Sequence, residues 1–99
     1  MDPAAPVLGH RRGAVAVITL NRPAVANAMD AAGSHAVDAL VRAAEADPGV
    51  GAIVVTGAGD HAFCGGLDSS VLLDQGAATF GALVRRFWLA CWRLAHLPP

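Results

Sequence analysis

The chain has 99 residues with seven arginines, no lysine, a single glutamate (Glu45) and a formal net charge of −1. This length suits one small domain, and the balanced charge excludes the basic field that nucleic-acid-binding proteins need. Without lysine there is neither Schiff-base chemistry nor a phosphate-loop lysine, and one glutamate excludes any mechanism that needs two.

Two apolar segments near the N-terminus predict an antiparallel β-hairpin. Residues 7–8 and 14–20 have the uncharged character of strands, and residues 11–13 are the expected turn between them. The second strand is apolar at nearly every position, which is typical of a strand buried on both faces. Pro23 follows it and ends it, because proline cannot donate a hydrogen bond to a neighbouring strand.

A helix and a third strand follow the hairpin. Asp30 is the expected N-cap of the helix, Asp38 and Arg42 are spaced to pair, and Pro48 ends it. Its apolar residues at helical spacing are Ala36, Val37, Leu40, Val41 and Ala44. Residues 51–56 are β-branched and uncharged, which again predicts a strand buried on both faces. Strand, helix and strand together predict a βαβ unit with parallel strands and a right-handed crossover.

A glycine-rich loop over residues 57–68 leads into two predicted helices. The first is short, over residues 68–76, and the second is longer, over residues 77–97. Apolar residues surround most of the longer helix: Phe80, Leu83, Val84, Phe87, Trp88, Leu89, Trp92 and Leu94. Such a helix needs neighbours on several sides. We therefore expect its two tryptophans to be core or interface anchors and Cys91 to be buried packing.

The overall composition predicts a surface that something else covers. Mean hydropathy is +0.47, and only 15% of residues are charged, against about 25% in a typical soluble domain. No apolar run is long enough for a transmembrane helix, no signal peptide is recognised, and two cysteines do not make a disulfide framework. These features predict a cytoplasmic protein with no nucleic-acid or membrane partner.

The glycine-rich loop is the segment that points to chemistry, and two interpretations compete with a simple turn. Gly57 and Gly59, with Ala62, fit a G-x-G-x-x-A variant of the NAD(P)-binding fingerprint. The helix that this fingerprint requires would be interrupted by Gly65 and Gly66. Alternatively, these last two glycines expose backbone N–H groups suited to a carbonyl oxygen that gains negative charge.

Metal binding is a weaker interpretation of the same loop. His61 and Cys64 lie near Asp60 and Asp68, but their spacing matches no strong zinc pattern, so no metal site is predicted. Cys64 also lacks a well-placed base that would make it a nucleophile.

Three motifs, in order, resemble the N-terminal part of the crotonase superfamily, the enoyl-CoA hydratase/isomerase family. They are residues 15–23 with their Asn-Arg-Pro ending, residues 27–29 (Asn-Ala-Met), and residues 53–68 with their Phe-Cys-Gly-Gly-Leu-Asp ending. The resemblance implies an α/β fold made of the N-terminal ββα-type units of a crotonase-like (ClpP/crotonase) spiral. Residues 1–99 would then be a single partial domain that lacks the C-terminal half.

The resemblance also implies a ligand, a coenzyme A thioester used as substrate, with no further cofactor. The backbone N–H of Leu67 would be the catalytic group, one donor of an oxyanion hole. The implied CoA-binding residues are Val25, Ala26, Ala28, Gly65, Gly66, Leu67, Asp68 and Ser69. Val25 stands where many members have lysine or arginine, and Gly65 replaces the commoner alanine.

The function expected from this resemblance is acyl-CoA binding in lipid or related CoA-ester metabolism. Hydratases of the family carry their catalytic glutamates beyond the part matched here, and Glu45 is expected to be a solvated surface acid. We therefore expect no hydratase turnover by this chain alone. The alternative is a non-catalytic half-protein or remnant that assembles with a partner chain, such as a complementing C-terminal half or another copy. An NAD(P)-binding βαβ fragment is a further alternative.

Overall fold

The computed structural model describes residues 4–60, 62–68 and 70–95. The elements are β1 (Val7–Arg12), β2 (Val15–Leu20), a 3₁₀ turn (Pro23–Val25), α1 (Ala31–Ala46), β3 (Ala52–Gly57), α2 (Ser70–Gln75) and α3 (Ala77–Ala95). The sheet order is β1-β2-β3; β1 is antiparallel to β2, and β2 is parallel to β3. The predicted hairpin, the parallel βαβ pairing and the mixed α/β class are confirmed.

The turn of the hairpin differs from the prediction. Arg11 and Arg12 belong to β1, where they pair with Ala16 and Val15, and the turn begins at Gly13. Gly13 has a φ of +58°, a conformation that glycine adopts without steric cost. The two arginines are accommodated within the strand because an edge strand with a solvated side tolerates charge.

Helix α1 forms as its sequence predicts. Oδ1 of Asp30 accepts a hydrogen bond from the Gly33 N–H at 2.8 Å, which caps the N-terminus. Arg42 donates to Asp38 one turn earlier at 2.9 Å. Val37 and Val41, next to these residues in the sequence, face the sheet side of the helix and join the core. The helix thereby covers one face of the sheet with its apolar stripe.

The other face of the sheet is open, so the prediction that the strands are buried on both faces is wrong. Along β3, exposed and half-buried residues alternate, with Val54 46% exposed while Ile53 and Val55 pack against the core. In β2 only Ile18 and Leu20 are fully buried. An apolar strand is covered only where another layer packs on it, and the described helices supply one such layer.

Helix α3 buries only part of its apolar surface. Leu83 is 2% exposed, and Phe87 and Leu94 pack against the core. The two tryptophans remain half-exposed or more, and Cys91 is exposed, so its predicted burial is wrong. The physical reason is that α1 and α2 contact α3 on part of its surface, and the described elements leave these positions uncovered. Across the described ranges, no helix has the length and apolarity needed to span a bilayer.

Candidate functional site

The candidate site is formed where the loop before α1 meets the glycine-rich loop after β3. An isolated parallel bridge joins Met29 to Leu67. The Met29 N–H donates to the Gly66 carbonyl oxygen at 2.7 Å, and the Asp68 N–H donates to the Met29 carbonyl oxygen at 2.8 Å. Two sequence motifs far apart in the chain are thus connected backbone to backbone.

This bridge determines where the backbone of Leu67 points. In a parallel pair the polar groups of successive residues point to opposite sides, so the groups of Gly66 and Asp68 face Met29 and those of Leu67 face away. No acceptor among the residues that the structure describes takes the Leu67 N–H. The Leu67 side chain, meanwhile, packs against the core. The bridge therefore leaves a backbone donor on the outer side of a fixed turn.

The two residues before Leu67, Gly65 and Gly66, are glycines for different structural reasons. Gly66 has a φ of +91°, which favours glycine, and a Cβ there would meet no atom within 4 Å. A Cβ on Gly65 would lie 3.0 Å from the carbonyl oxygen of Ala26 and 3.3 Å from its Cβ. Gly66 permits the turn, and the absence of a side chain at Gly65 lets the turn contact the loop before α1.

Asn27 holds the two loops together, a role that its place in a sequence motif did not reveal. It is 2% exposed and has a φ of +57°, a left-handed conformation that asparagine tolerates. Its Oδ1 accepts from the Arg22 N–H at 2.8 Å, and its Nδ2 donates to the carbonyl oxygens of Ala58 and Ala62 at 3.0 and 2.9 Å. Among side chains, an amide can satisfy donors and acceptors on both loops at once.

Asp68 and Arg22 form a second connection between the loops. Nη1 of Arg22 donates to the carbonyl oxygen of Ala28 at 2.8 Å and to Oδ2 of Asp68 at 3.2 Å. Oδ1 of Asp68 accepts from the backbone N–H and the hydroxyl of Ser70 at 3.0 and 2.7 Å. The hydrogen bonds from Ser70, followed by the Arg22 guanidinium, lower the pKa of Asp68, although burial partly opposes them. At neutral pH this carboxylate is ionised, and its two oxygens accept hydrogen bonds from Ser70 and Arg22.

The remaining predicted CoA-binding residues lie on or beside this junction. Val25 is 46% exposed, and Ala26 is also exposed, with a φ of +56°. The Ala28 N–H donates to the Val25 carbonyl oxygen at 3.1 Å, which closes the turn. Contact between Ala26 and Gly65 brings the two predicted groups of residues together. Ser69 lies outside the described residues.

The packing of the first two loop glycines contradicts the dinucleotide interpretation. A Cβ on Gly57 would collide with the carbonyl oxygen of Phe63, and one on Gly59 would lie 3.0 Å from Cβ of Pro23. The next described helix begins at Ser70 rather than directly after the fingerprint. Both glycines are therefore needed for folding the loop back on its own strand and on the neighbouring turn, and none of the described residues between Gly57 and Asp68 begins the helix that pyrophosphate would require.

The single glutamate does not approach the junction. Glu45 lies near the C-terminal end of α1, whereas the junction adjoins its N-terminal end. Its side chain is 39% exposed, and Oε2 lies 3.7 Å from Nη1 of Arg93. Glu45 is a surface acid, as predicted. The described residues contain no group of three or more histidine, cysteine, aspartate or glutamate side chains that could hold a metal ion.

Comparisons with known proteins agree on one family. The model of a family described as "Enoyl-CoA hydratase/isomerase" matches residues 10–96. The chain is 39% identical over 77 residues to a mitochondrial 3-hydroxyisobutyryl-CoA hydrolase of Gallus gallus, covering 78% of this chain and 20% of that protein. It is 44% identical over 62 residues to a probable enoyl-CoA hydratase of Rhizobium meliloti (strain 1021), covering 63% and 24% respectively.

A solved structure covers nearly the whole chain. The crystal structure of an enoyl-CoA hydratase/isomerase from Xanthobacter autotrophicus Py2 is 36% identical with a TM-score of 0.84, covering 94% of this chain and 35% of that one. The chain thus spans about a fifth to a quarter of the curated relatives described above. The matched part includes both loops of the junction and the helices that follow.

Proposed function

Because the chain belongs to the enoyl-CoA hydratase/isomerase family of the crotonase superfamily, we propose that its two joined loops bind the thioester end of an acyl-CoA. The observation that carries this proposal is the backbone N–H of Leu67, which points away from the Met29 bridge and has no acceptor among the described residues. It is the donor that the resemblance assigns to an oxyanion hole. Its direction is determined by backbone pairing and so is independent of side-chain rotamers.

The chemistry of a thioester explains why a fixed N–H is useful. When a nucleophile or base acts on an acyl-CoA, negative charge develops on the carbonyl oxygen, and a preorganised donor stabilises that charge without reorganising. Removing one such donor from an enzyme typically lowers the rate by about 10²–10³-fold. Leu67 supplies one donor, so the proposed role of this chain is to bind and partly polarise the carbonyl.

The loop before α1 is the proposed contact for the coenzyme. Val25 and Ala26 are exposed and small, so an elongated ligand can approach their backbone closely. The nearby Arg22 is engaged with Ala28 and Asp68 and does not replace the cation that many family members have at position 25. We therefore propose that binding relies on backbone and apolar contacts and depends only weakly on salt.

We further propose that the chain alone does not hydrate enoyl-CoA. Addition of water requires a general base and an acid beside the substrate, and the single glutamate of the chain lies near Arg93, away from the junction. The absorbance of crotonyl-CoA incubated with the purified chain is expected to stay constant. Turnover that co-elutes with the chain would contradict this proposal, and its loss in Glu45→Gln would show that the glutamate takes part.

Amide NMR tests the binding site directly. We would titrate ¹⁵N-labelled chain with butyryl-CoA and, as a matched control, with the S-butyl thioether of CoA, which lacks the carbonyl oxygen. Ala26 and Ala28 amides are expected to shift with both ligands, and the Leu67 amide mainly with the thioester. If the loop amides shift but Leu67 responds equally to both ligands, the donor assignment is wrong. If no amide shifts, acyl-CoA binding itself is refuted.

A second function, assembly with a complementing chain, is favoured by the edge of the sheet. β3 is the last strand in the order β1-β2-β3, and its six residues carry neither charge nor proline. Beside it, an apolar cavity of about 430 Å³ lies between the sheet and α3, lined in part by Val55, Phe63 and Phe87. An uncharged edge strand is a template for pairing with another strand. We propose that an apolar strand of a partner chain pairs with β3 and fills this cavity.

Sedimentation tests this assembly. The remainder of the Xanthobacter relative, produced as a separate chain, is expected to form a one-to-one complex with this chain. Val54→Lys, which places a charge on β3, should weaken the complex, whereas Leu73→Lys on α2, at a position 82% exposed, should not. A chain that stays monomeric when the fragment is added would refute the proposal. Self-association of the chain that Val54→Lys suppresses would show instead that β3 pairs with another copy of this chain.

A further inference from the structure

A groove separate from the candidate site runs between α1 and α3. Its volume is about 710 Å³, and most of its lining comes from one face of α3, between Ala78 and Arg93. We propose that this groove binds an acidic amphipathic helix of a partner protein. The proposal goes beyond acyl-CoA binding and rests on the charge of the groove, the spacing of its arginines and its length.

The groove concentrates positive charge in a chain that is slightly acidic overall. Four of the seven arginines line it, at positions 42, 85, 86 and 93, together with the single carboxylate of Asp38. Asp38 is shared by Arg42 at 2.9 Å and Arg93 at 3.2 Å. Even with Glu45, whose carboxylate lies 3.7 Å from Arg93, the cations outnumber the anions by two. Guanidinium groups in such excess recognise carboxylates or phosphates.

Two of the arginines have no acidic partner among the described residues. Arg85 is exposed and forms no ion pair there, and Nη1 of Arg86 contacts Nδ1 of His35 at 2.9 Å. The ring nitrogen can accept this hydrogen bond only while it is unprotonated. The guanidinium groups of Arg85 and Arg86 are therefore not neutralised by any carboxylate that the structure describes.

The spacing of these groups matches a helix. From Arg85 to Arg93 the rise along α3 is about 12 Å, and Leu89 lies between them on the same face. Leu89 and Trp92 expose 49% and 50% of their surface. Along this face of α3, a cation, an apolar side chain and a second cation follow one another at intervals of four residues: Arg85, Leu89 and Arg93. A partner helix with glutamates at i, i+7 and i+8 and leucine at i+4 has the complementary pattern.

The length of the groove favours a helix over a small anion. Gly81 lines the groove, and a Cβ there would meet no atom within 4 Å, so the space beside it is open to partner side chains. A single phosphate could reach only one of the two arginine groups, because they are separated by about two helical turns. The ligand class that uses the whole groove is an elongated one with acidic groups on either side of an apolar residue.

Tryptophan fluorescence can measure this interaction. In a Trp88→Phe variant, Trp92 is the one remaining tryptophan and lines the groove. The probe is a designed helical peptide of about 16 residues that carries the glutamate and leucine pattern above, and its control replaces each glutamate by glutamine. We expect the glutamate peptide to bind about tenfold more tightly at low salt and to lose this advantage as salt is raised.

Variants of the chain complete the test. The double variant Arg85→Gln/Arg86→Gln is expected to weaken binding of the glutamate peptide about tenfold, whereas Arg12→Gln, a matched exposed arginine on β1, should leave it unchanged. Gly81→Leu should block the groove. Circular dichroism checks that each variant is folded. Equal binding of the two peptides, an equal loss in Arg12→Gln, or displacement of the peptide by millimolar pyrophosphate would each overturn the proposal.

Discussion

The two most buried polar side chains of the core are expected to respond to alanine substitution in opposite directions. Asn27 and Ser34 are 2% and 1% exposed. The Asn27 side chain makes three hydrogen bonds, one within the loop before α1 and two that join this loop to the glycine-rich loop. The hydroxyl of Ser34 has no partner among the described residues. Burial is therefore matched, and the difference between the two sites is whether the polar atoms are satisfied.

The expected magnitudes follow from this difference. Each intramolecular hydrogen bond contributes about 1 kcal/mol net, so losing the three of Asn27 costs about 3 kcal/mol. Alanine in the left-handed conformation at this position adds about 1 kcal/mol. Ser34→Ala removes an unsatisfied buried hydroxyl and introduces a better helix former, which should stabilise the chain by about 1 kcal/mol.

Urea unfolding followed by circular dichroism measures both changes. With a slope of about 2 kcal/mol/M, Asn27→Ala should lower the midpoint by about 2 M, and Ser34→Ala should raise it by about 0.5 M. Asn27→Asp retains the acceptor for Arg22 but places a buried carboxylate oxygen against the carbonyl oxygens of Ala58 and Ala62, so at neutral pH it should destabilise the chain at least as much as Asn27→Ala. A loss below about 1 kcal/mol for Asn27→Ala would refute its role in joining the loops. Destabilisation by Ser34→Ala would show that the hydroxyl is satisfied.

Three further predictions concern the junction and the cysteines. Gly66→Ala should destabilise the chain by about 1–2 kcal/mol through backbone strain alone, because φ is +91° and no atom lies near the added Cβ; an unchanged urea midpoint would contradict this. The pKa of Asp68 is lowered in the folded chain, so its ionised form stabilises the fold at pH values above the ordinary pKa of 3.8. This contribution is lost as the pH falls through the still lower pKa of the folded state. The urea midpoints of wild type and Asp68→Asn should therefore converge on acidification, and a constant gap would refute the effect. Although Cys91 is exposed, partial desolvation beside the apolar cavity and, second, the neighbouring Cys64 raise its pKa, so iodoacetamide should alkylate it more slowly than a free thiol at neutral pH, as mass spectrometry can measure; an equal rate would argue against it.

Local patterns in the sequence predicted most of the elements. The cap at Asp30, the pairing of Asp38 with Arg42 and the parallel strands around α1 depend on neighbours within one or two turns, or on the right order of elements. The errors have a different origin. Val54 and Cys91 are apolar residues whose burial depends on what packs over them, and no local pattern contains that information.

The order of the three motifs and the single glutamate can be read directly from the sequence, and they indicate the family and the lack of a glutamate pair in this chain. How those motifs meet depends on the folded structure. Met29 and Leu67 pair across the junction, Asn27 bonds to the glycine-rich loop, and Arg22 reaches Asp68, 46 residues away. Such contacts depend on three-dimensional proximity rather than on spacing along the chain, and they determine which backbone N–H group has no internal acceptor.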